Sequence, residues 1–264
     1  MRTAIEEIKF RADFCSTCGN IEIADHLLGQ SKALGYRTCA GFHLGAYIYY
    51  ASLNENTIAL DSLSKVIEFG MSAKAPYEQE SLLSLLTVYH GKAFLGEDLI
   101  AVSEAIMEYS DQFENEFVNP LYPILAAITL EEEYSKFLPK LAAWEKRKYP
   151  ITLPGSSNAV EQICQNDGDA LTSSISDMLA LHHKQATNRH SSIHNHHASF
   201  ISYTPYLLLN LARTRGLDIS DNVQNRVQTL KLGMSSPVDF PDIPKNHKMP
   251  IEVDYLTGKI KPLS

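Results

Sequence analysis

The 264-residue chain lacks the short motifs that mark common enzymes. It has no His-Glu-x-x-His zinc helix, no Gly-x-Ser-x-Gly nucleophile turn, no Gly-rich phosphate loop ending in Gly-Lys and no dinucleotide fingerprint. These motifs supply an activated nucleophile or a bound cofactor in many enzymes. We therefore predict that the protein is not an enzyme, has no catalytic residues and uses no cofactor.

The chain also lacks the apolar leader of secreted proteins, because its first fourteen residues mix charges of both signs. We therefore expect a cytoplasmic protein. The longest charge-free run, Thr38 to Asn54, is marginal in length for a membrane span. We interpret it as a buried helix in which Gly41 and Gly45 let another helix approach closely, and we predict no membrane partner.

Cysteine is scarce, with four residues that we expect to stay reduced. Cys15, Cys18, Cys39 and His43 have residue types and spacing compatible with zinc. Cys39 and His43 fall inside the apolar run, however, where thiols and histidines are often core residues. We predict no metal site, while zinc binding by this set stays open as an alternative.

Positive charge is absent from the middle of the chain. No Lys or Arg occurs between Lys92 and Lys136, an interval that holds ten of the 31 carboxylates in a chain of net charge −8. Basic clusters elsewhere are small, and the net charge repels phosphate, so we predict no nucleic-acid partner. The ten carboxylates are Glu97, Asp98, Glu104, Glu108, Asp111, Glu114, Glu116, Glu131, Glu132 and Glu133.

Helical spacing arranges part of this acidic region into two faces. At 100° per residue Glu97, Glu104, Glu108 and Asp111 fall on one arc of a helix, opposite an apolar face formed by Leu99, Val102, Ile106 and Tyr109. Such an anionic face would steer and block a partner with a cationic groove, although acidic faces also serve solubility. The predicted partner-binding residues are Glu97, Glu104, Glu108, Asp111, Glu114 and Glu116.

The fold predicted from periodicity is all-α, a multi-helix bundle or layered helical array with an extended proline-rich C-terminal tail. We expect an N-terminal helical region over 1–150, a C-terminal one over 151–233 and a tail over 234–264 that packs on the body, in one structural domain overall. Prolines and a glycine in Tyr149 to Ser157 indicate a linker, and residues 251–263 have the pattern of a short hairpin. The predicted helices are Ile21–Leu34, Thr38–Leu53, Thr57–Phe69, Glu78–Phe94, Glu97–Tyr109, Leu121–Leu130, Glu132–Lys148, Ala159–Cys164, Ala170–Lys184, Pro205–Arg215 and Asp221–Leu232.

Six histidines crowd into sixteen residues: His182, His183, His190, His194, His196 and His197. The serines, threonine and asparagines among them favour turns over helix. No carboxylate lies between Asp177 and Asp218 to support a metal ligand. We expect a polar surface loop, and a metal-dependent enzyme built on this cluster remains an alternative.

Two helices stand out between Asn166 and Asp218. In the first, Leu171, Ile175, Met178, Leu179 and His182 share one face, which predicts an amphipathic helix packed on a core. In the second, Thr204 is expected to cap the N-terminus, Pro205 to occupy the first turn and Gly216 to adopt the left-handed stop after Arg213 and Arg215. The body of this helix, Tyr206 to Ala212, is almost wholly apolar and should be buried.

This segment resembles the C-terminal half of the immunity protein 49 family. The matching positions are Gly168, Asp169, Leu171, Leu179, His182, Tyr203, Pro205, Leu207 to Leu209, Leu211, Ala212, Arg215 and Gly216. Phe200, Ile201 and Ser202 stand where the family usually has small residues. The resemblance implies an immunity protein that binds a cognate bacterial polymorphic toxin and occludes its active site. An α-helical scaffold or regulator is the alternative, and the sequence does not indicate the oligomeric state.

Overall fold

The computed structural model describes residues 4–19, 32–53, 55–73, 79–110, 119–147, 154–188, 197–199, 202–219, 251–253 and 260–262. These residues are overwhelmingly helical, and the predicted all-α class is confirmed. The helices are α1 (Ala4–Cys18), α2 (Lys32–Ser52), α3 (Asn56–Ser72), α4 (Gln79–Leu95), α5 (Ile100–Met107), α6 (Leu121–Thr129), α7 (Leu138–Glu145), α8 (Ser156–Gln165), α9 (Gly168–Thr187) and α10 (Tyr203–Thr214), with 3-10 turns at Ser135–Phe137 and His197–Ser199.

Helix α2 is the centre of the N-terminal part, where it packs against α1, α3 and α4. Its second half, residues 43–50, is buried throughout, as expected for the charge-free run. At Gly45 an added Cβ would lie 3.0 Å from the His197 ring and 3.3 Å from the Cys15 thiol, so α1 does approach closely there. The same prediction is wrong for Gly41, where a Cβ would meet no atom of the described residues within 4 Å.

The C-terminal helices share one core with the N-terminal ones. Helix α5 packs on α4 and α6, and α10 contacts α4, α6, α8 and α9. A single cluster of buried apolar side chains runs from Ile8 in α1 to Ile219 beyond α10. Helix α10 therefore joins the two predicted helical regions. Its body from Tyr206 to Ala212 is buried as predicted, apart from the half-buried Asn210.

A buried group of aromatic rings holds α4, α6 and α10 together. His90 on α4 lies edge-on to Tyr203 with ring centroids 4.7 Å apart, and its Nε2 is hydrogen bonded to the Tyr122 hydroxyl. The Tyr206 hydroxyl donates to the carbonyl of Ala93 at 3.1 Å. Burial lowers the pKa of His90 to about 3, so this histidine is neutral in the folded protein at physiological pH.

Four helices end in the same way, with a residue in the left-handed conformation. Gly96, Glu131, Asn166 and Gly216 follow α4, α6, α8 and α10 at φ of 70°, 59°, 60° and 72°. After α10, Gly216 N–H donates to the carbonyl of Arg213 and Leu217 N–H to that of Ala212, at 2.9 and 3.0 Å. This pair of bonds satisfies carbonyls that the helix leaves without partners. The stop predicted at Gly216 is confirmed.

Helix α1 was missed by the sequence prediction, which placed no helix before Ile21. The mixed charges of this segment hide a narrow core-facing side on which Ile8 and Ala12 are buried. Lys9 is exposed and reaches Glu55 at 3.2 Å. Packing on α2 stabilises a helix whose own apolar pattern is weak.

Three further boundaries differ from the prediction. The expected break between Leu34 and Thr38 does not exist, because α2 runs through both residues. Helix α10 is preceded by Ser202 and has Thr204 inside its first turn, so Thr204 is not the N-cap. The helix expected from Glu132 instead begins as a 3-10 turn at Ser135 and becomes α7 at Leu138, where Pro139 fits the first turn.

The predicted linker ends earlier than expected, since Ser156 and Ser157 belong to α8. Glu145, the last residue of α7, accepts hydrogen bonds from Ser157 N at 2.6 Å and Gly155 N at 3.3 Å. Its carboxylate therefore satisfies free N–H groups at the start of α8 and fixes α7 beside it. Residues 148–153 lie outside the described part of the chain.

The described residues of the tail form two short paired strands, and the turn of the predicted hairpin lies outside the described residues. Strand β1 (Ile251–Val253) pairs antiparallel with β2 (Ile260–Pro262), with Ile251 opposite Pro262 and Val253 opposite Ile260. The helix predicted over Asp221–Leu232 and most of Ile21–Leu34 fall outside the described residues.

Candidate partner-binding surface

The acidic middle of the chain is a surface feature. Seven of its ten carboxylates belong to described residues, and all seven side chains are exposed. They are Glu97, Asp98, Glu104, Glu108, Glu131, Glu132 and Glu133. Asp111, Glu114 and Glu116, three of the six predicted contact residues, lie outside the described part of the chain.

Helix α5 has the two faces expected from its sequence. Val102, Ile106 and Tyr109 are buried, with exposures of 1%, 0% and 6%. Glu104 and Glu108, one turn apart, are exposed on the other side. Like charges at this spacing repel by a few tenths of a kcal/mol in an isolated helix, so burial of the apolar face is what holds the arrangement.

Glu97 does not belong to the anionic face of α5, which corrects the predicted arc. Gly96 ends α4, and Glu97 N–H donates back to the carbonyl of Lys92 at 3.0 Å. The Glu97 carboxylate also pairs with Lys92 Nζ at 2.9 Å. Asp98 then accepts a hydrogen bond from Ile100 N at 2.9 Å, and α5 begins at Ile100, three residues later than predicted.

The turn after α6 is a second acidic element that the predicted contact set omitted. Glu131 and Glu132 donate their N–H groups to the carbonyls of Ile128 and Ala127, at 3.3 and 2.8 Å. The Glu133 carboxylate accepts hydrogen bonds from the hydroxyl and the backbone N–H of Ser135, and these bonds lower the pKa of Glu133. Three consecutive glutamates after an apolar helix are the feature of the sequence that indicates this element. The predicted helix Glu132–Lys148 instead includes two of them, Glu132 and Glu133.

The two helices of segment 166–218, α9 and α10, contact each other. Asp167 Oδ1 accepts from Ala170 N at 3.0 Å and caps α9. A Cβ added to Gly168 would lie 2.1 Å from the carbonyl oxygen of Asp218, so the start of α9 touches the chain beyond α10 directly. The predicted face of α9 is confirmed, because Leu171, Ile175, Met178, Leu179 and His182 are all buried.

Two members of the histidine cluster have structural contacts. His182 Nε2–H donates to the carbonyl of Ala198 at 2.7 Å, and His197 Nδ1 is hydrogen bonded to the Tyr203 hydroxyl at 2.7 Å. Both bonds fix the 197–199 turn against α9 and α10. The side chain of His183 and all of His190, His194 and His196 fall outside the described residues.

The cysteine and histidine set proposed for zinc lies where α1 meets α2. Burial raises the pKa of Cys15 to about 12, and also raises that of Cys18, so these thiols are protonated at neutral pH. The ring of His43 packs on Gly19, and burial lowers its pKa to about 4. Within the described ranges no three His, Cys, Asp or Glu side chains are grouped so that they could hold a metal ion.

Comparison with known proteins identifies no relative: no family model, curated protein or solved structure matches the chain. In the described part of the chain, none of the helices combines the length and the apolar character needed to cross a bilayer.

Proposed function

We propose that this protein is an immunity protein that binds a cognate bacterial polymorphic toxin and neutralises it by occluding the toxin's active site. The family resemblance of the 166–218 segment gives the function. The observation that carries the mode of binding is the exposure of all seven described carboxylates in a region without a single Lys or Arg.

The electrostatic reason is that unpaired surface charge favours encounter with a partner of opposite sign. Lys92 compensates Glu97, but no ion pair within the described residues involves Glu104. A toxin that acts on nucleic acid would present a cationic groove, which this potential would attract at rates far above those of neutral surfaces. The identity and chemistry of the toxin are not specified by the charge.

The scaffold behind α5 suits this role because it is fixed. The buried side of the helix enters the common core through Val102 and Ile106, and its neighbours α4 and α6 belong to the same core. A preformed surface loses little conformational entropy on binding. Glu104 and Glu108 are therefore the first contact residues to test.

The function is tested by expressing the chain together with the product of the adjacent upstream gene. If that product is the toxin, growth is rescued and the two proteins co-purify.

The pair Glu104→Lys and Glu108→Lys should slow association at low salt by about tenfold or more, since such charge reversal acts mainly on the on-rate. Stopped-flow or surface plasmon resonance at two salt concentrations measures this effect.

A matched control changes the same charge elsewhere. Glu68 on α3 and Asp177 on α9 are both exposed, so Glu68→Lys with Asp177→Lys has the same net charge as the test pair. The control should bind almost as the wild type does. Equal association rates for the two variants would remove the α5 face from the interface.

An α-helical scaffold or regulator remains a second candidate, favoured by apolar side chains on α3. Ile58, Leu60 and Met71 are 43%, 39% and 40% exposed. A partner of that kind would bind through α3 and would not depend on the carboxylates.

The third candidate, a metal-dependent enzyme using the His182–His197 cluster, requires a stoichiometric metal ion in the purified protein, which elemental analysis measures.

A further inference from the structure

A cleft of about 310 Å³ opens where the ends of several helices meet. It is lined by Ile128, Glu131, Glu132, Tyr134, Cys164 and Arg215. The size is at the lower end of the range for ligand pockets, so it fits one side chain and not a large cofactor. None of these residues belongs to the predicted contact set.

The carboxyl-terminal ends of three helices form this cleft. Ile128 lies in the last turn of α6, Cys164 in the last turn of α8, and Arg215 directly after α10. Each helix end carries a partial negative charge from its aligned peptide dipoles. The backbone therefore adds to the negative potential of Glu131 and Glu132.

The charged side chains in the cleft do not neutralise one another. Arg215 forms no ion pair within 4 Å with Glu131 or Glu132, although all three line the same space. Arg215 sits where a cation complements the end of its own helix, α10. The two glutamates therefore leave the cleft with an excess of negative charge.

The backbone places Glu131 where a glutamate is not favoured. Among the four left-handed residues that end α4, α6, α8 and α10, two are glycines and one is an asparagine. Those residues accept positive φ readily, whereas a glutamate does not. The described residues give the Glu131 carboxylate no partner that would explain its presence.

The remaining walls suit the stem of a long cationic side chain. Ile128 is buried and apolar, while Tyr134 is half-buried and presents an aromatic ring. The Tyr134 hydroxyl is hydrogen bonded to Cys164, which raises its pKa to about 12 and keeps it uncharged. An aromatic ring beside two carboxylates is a favourable environment for a guanidinium or ammonium group.

We propose that this cleft receives an arginine or lysine side chain of the partner protein, with Glu131 and Glu132 binding the cationic group and Ile128 and Tyr134 contacting its aliphatic stem. The inference rests on the proposed function and adds an anchor point to it, because partly enclosed cationic anchors contribute more to affinity than exposed rim charges.

The direct test uses N-acetyl-arginine methylamide as the probe, followed by NMR chemical shifts of the folded protein. We expect saturable shifts at Glu131, Glu132 and Tyr134 with millimolar affinity, and at least tenfold weaker binding of the neutral citrulline analogue. The Glu131→Gln and Glu132→Gln pair should abolish the shifts. The control pair Glu68→Gln and Asp177→Asn should leave them unchanged.

A second variant separates the position of Glu131 from the net charge. Glu131→Gly with Ser173→Glu moves one carboxylate to an exposed site on α9. Release of the left-handed strain should raise the melting temperature by about 2–4 °C, while binding of the probe falls at least tenfold. A variant that binds the probe as the wild type does would overturn the proposal.

Each remaining outcome of the probe titration and of the growth assay also supports or overturns the proposal. No saturable binding up to 50 mM, roughly a fifty-fold excess over the expected millimolar affinity, would overturn the proposal. Equal binding of the citrulline analogue, or at least tenfold tighter binding of free arginine, would do so as well, because the cleft would then recognise other groups. Probe binding without growth rescue by the chain contradicts the proposed function alone. Growth rescue that survives loss of both glutamates, with no probe binding, contradicts only this inference.

Discussion

Gly168→Ala is the substitution that most directly tests how the start of α9 is packed. The added Cβ would lie 2.1 Å from the carbonyl oxygen of Asp218, whereas ordinary contact needs about 3.5 Å. Because the neighbour is backbone, relief requires a shift of more than about 1 Å in α9 or in the chain beyond α10. Overpacking of this kind costs typically about 1–3 kcal/mol.

The expected net loss for Gly168→Ala is about 2 kcal/mol, since the helix preference of alanine offsets only part of the clash at a first helical position. For a chain of this size that corresponds to a fall of about 4–8 °C in melting temperature. Urea unfolding followed by circular dichroism measures the free energy directly.

Gly41→Ala is the matched control because, among the residues that the structure describes, the same methyl group would meet no atom within 4 Å. Gly41 lies inside α2, so alanine there should stabilise the fold by about 0.5–1 kcal/mol. The two variants are predicted to shift stability in opposite directions. Stability of Gly168→Ala equal to or above that of the wild type would refute the close contact between α9 and Asp218.

Two histidines give further predictions. The pKa of His90 is about 3 in the folded protein and 6.5 in the unfolded chain, so unfolding takes up a proton and stability falls as pH drops below about 6.5 towards 3. Between pH 7 and pH 5 the wild type should lose about 2 kcal/mol of unfolding free energy through His90, and His90→Gln should not show this loss. Urea unfolding at both pH values measures it, and an unchanged pH dependence would contradict the burial of a neutral His90. His182→Phe leaves the Ala198 carbonyl without its donor and should lower the unfolding free energy by about 1–3 kcal/mol in the same assay. Amide exchange in the 197–199 turn should become faster. Exchange equal to that of the wild type would show that the bond does not hold the turn.

The sequence predicts helices well where one face is strongly apolar. The buried sides of α5, α9 and α10 could be predicted from residues such as Val102, Ile175 and Leu208. Apolar residues recur there at helical spacing, and this spacing is visible in one sequence without any homologue. The apolar residues of helix α1 do not follow a clear helical period, and packing on α2 supplies the rest of its stability. That information lies in another segment and cannot be read from local periodicity.

The surface was predictable in composition but not in grouping. The absence of Lys and Arg from residues 93–135 shows that the region is acidic. Placement of Glu97 beside Lys92, and not on α5, depends on the stop at Gly96. The cleft joins Ile128, Cys164 and Arg215, which lie at the ends of three different helices, and no pattern within one helix indicates that these ends meet.

Solubility alone does not account for the position of Glu131. Charge that keeps a protein soluble is effective at any exposed site, so a left-handed backbone position should hold glycine or asparagine, as it does after α4, α8 and α10. A glutamate there lowers stability by about 1 kcal/mol, while its neighbour Glu132 adds charge of the same sign. Costs of this kind concentrate at functional sites, where a partner compensates them on binding. The partner expected from this reasoning carries a cation that reaches past the surface of the protein into the cleft, and we propose that the exposed carboxylates of α5 act earlier, during encounter.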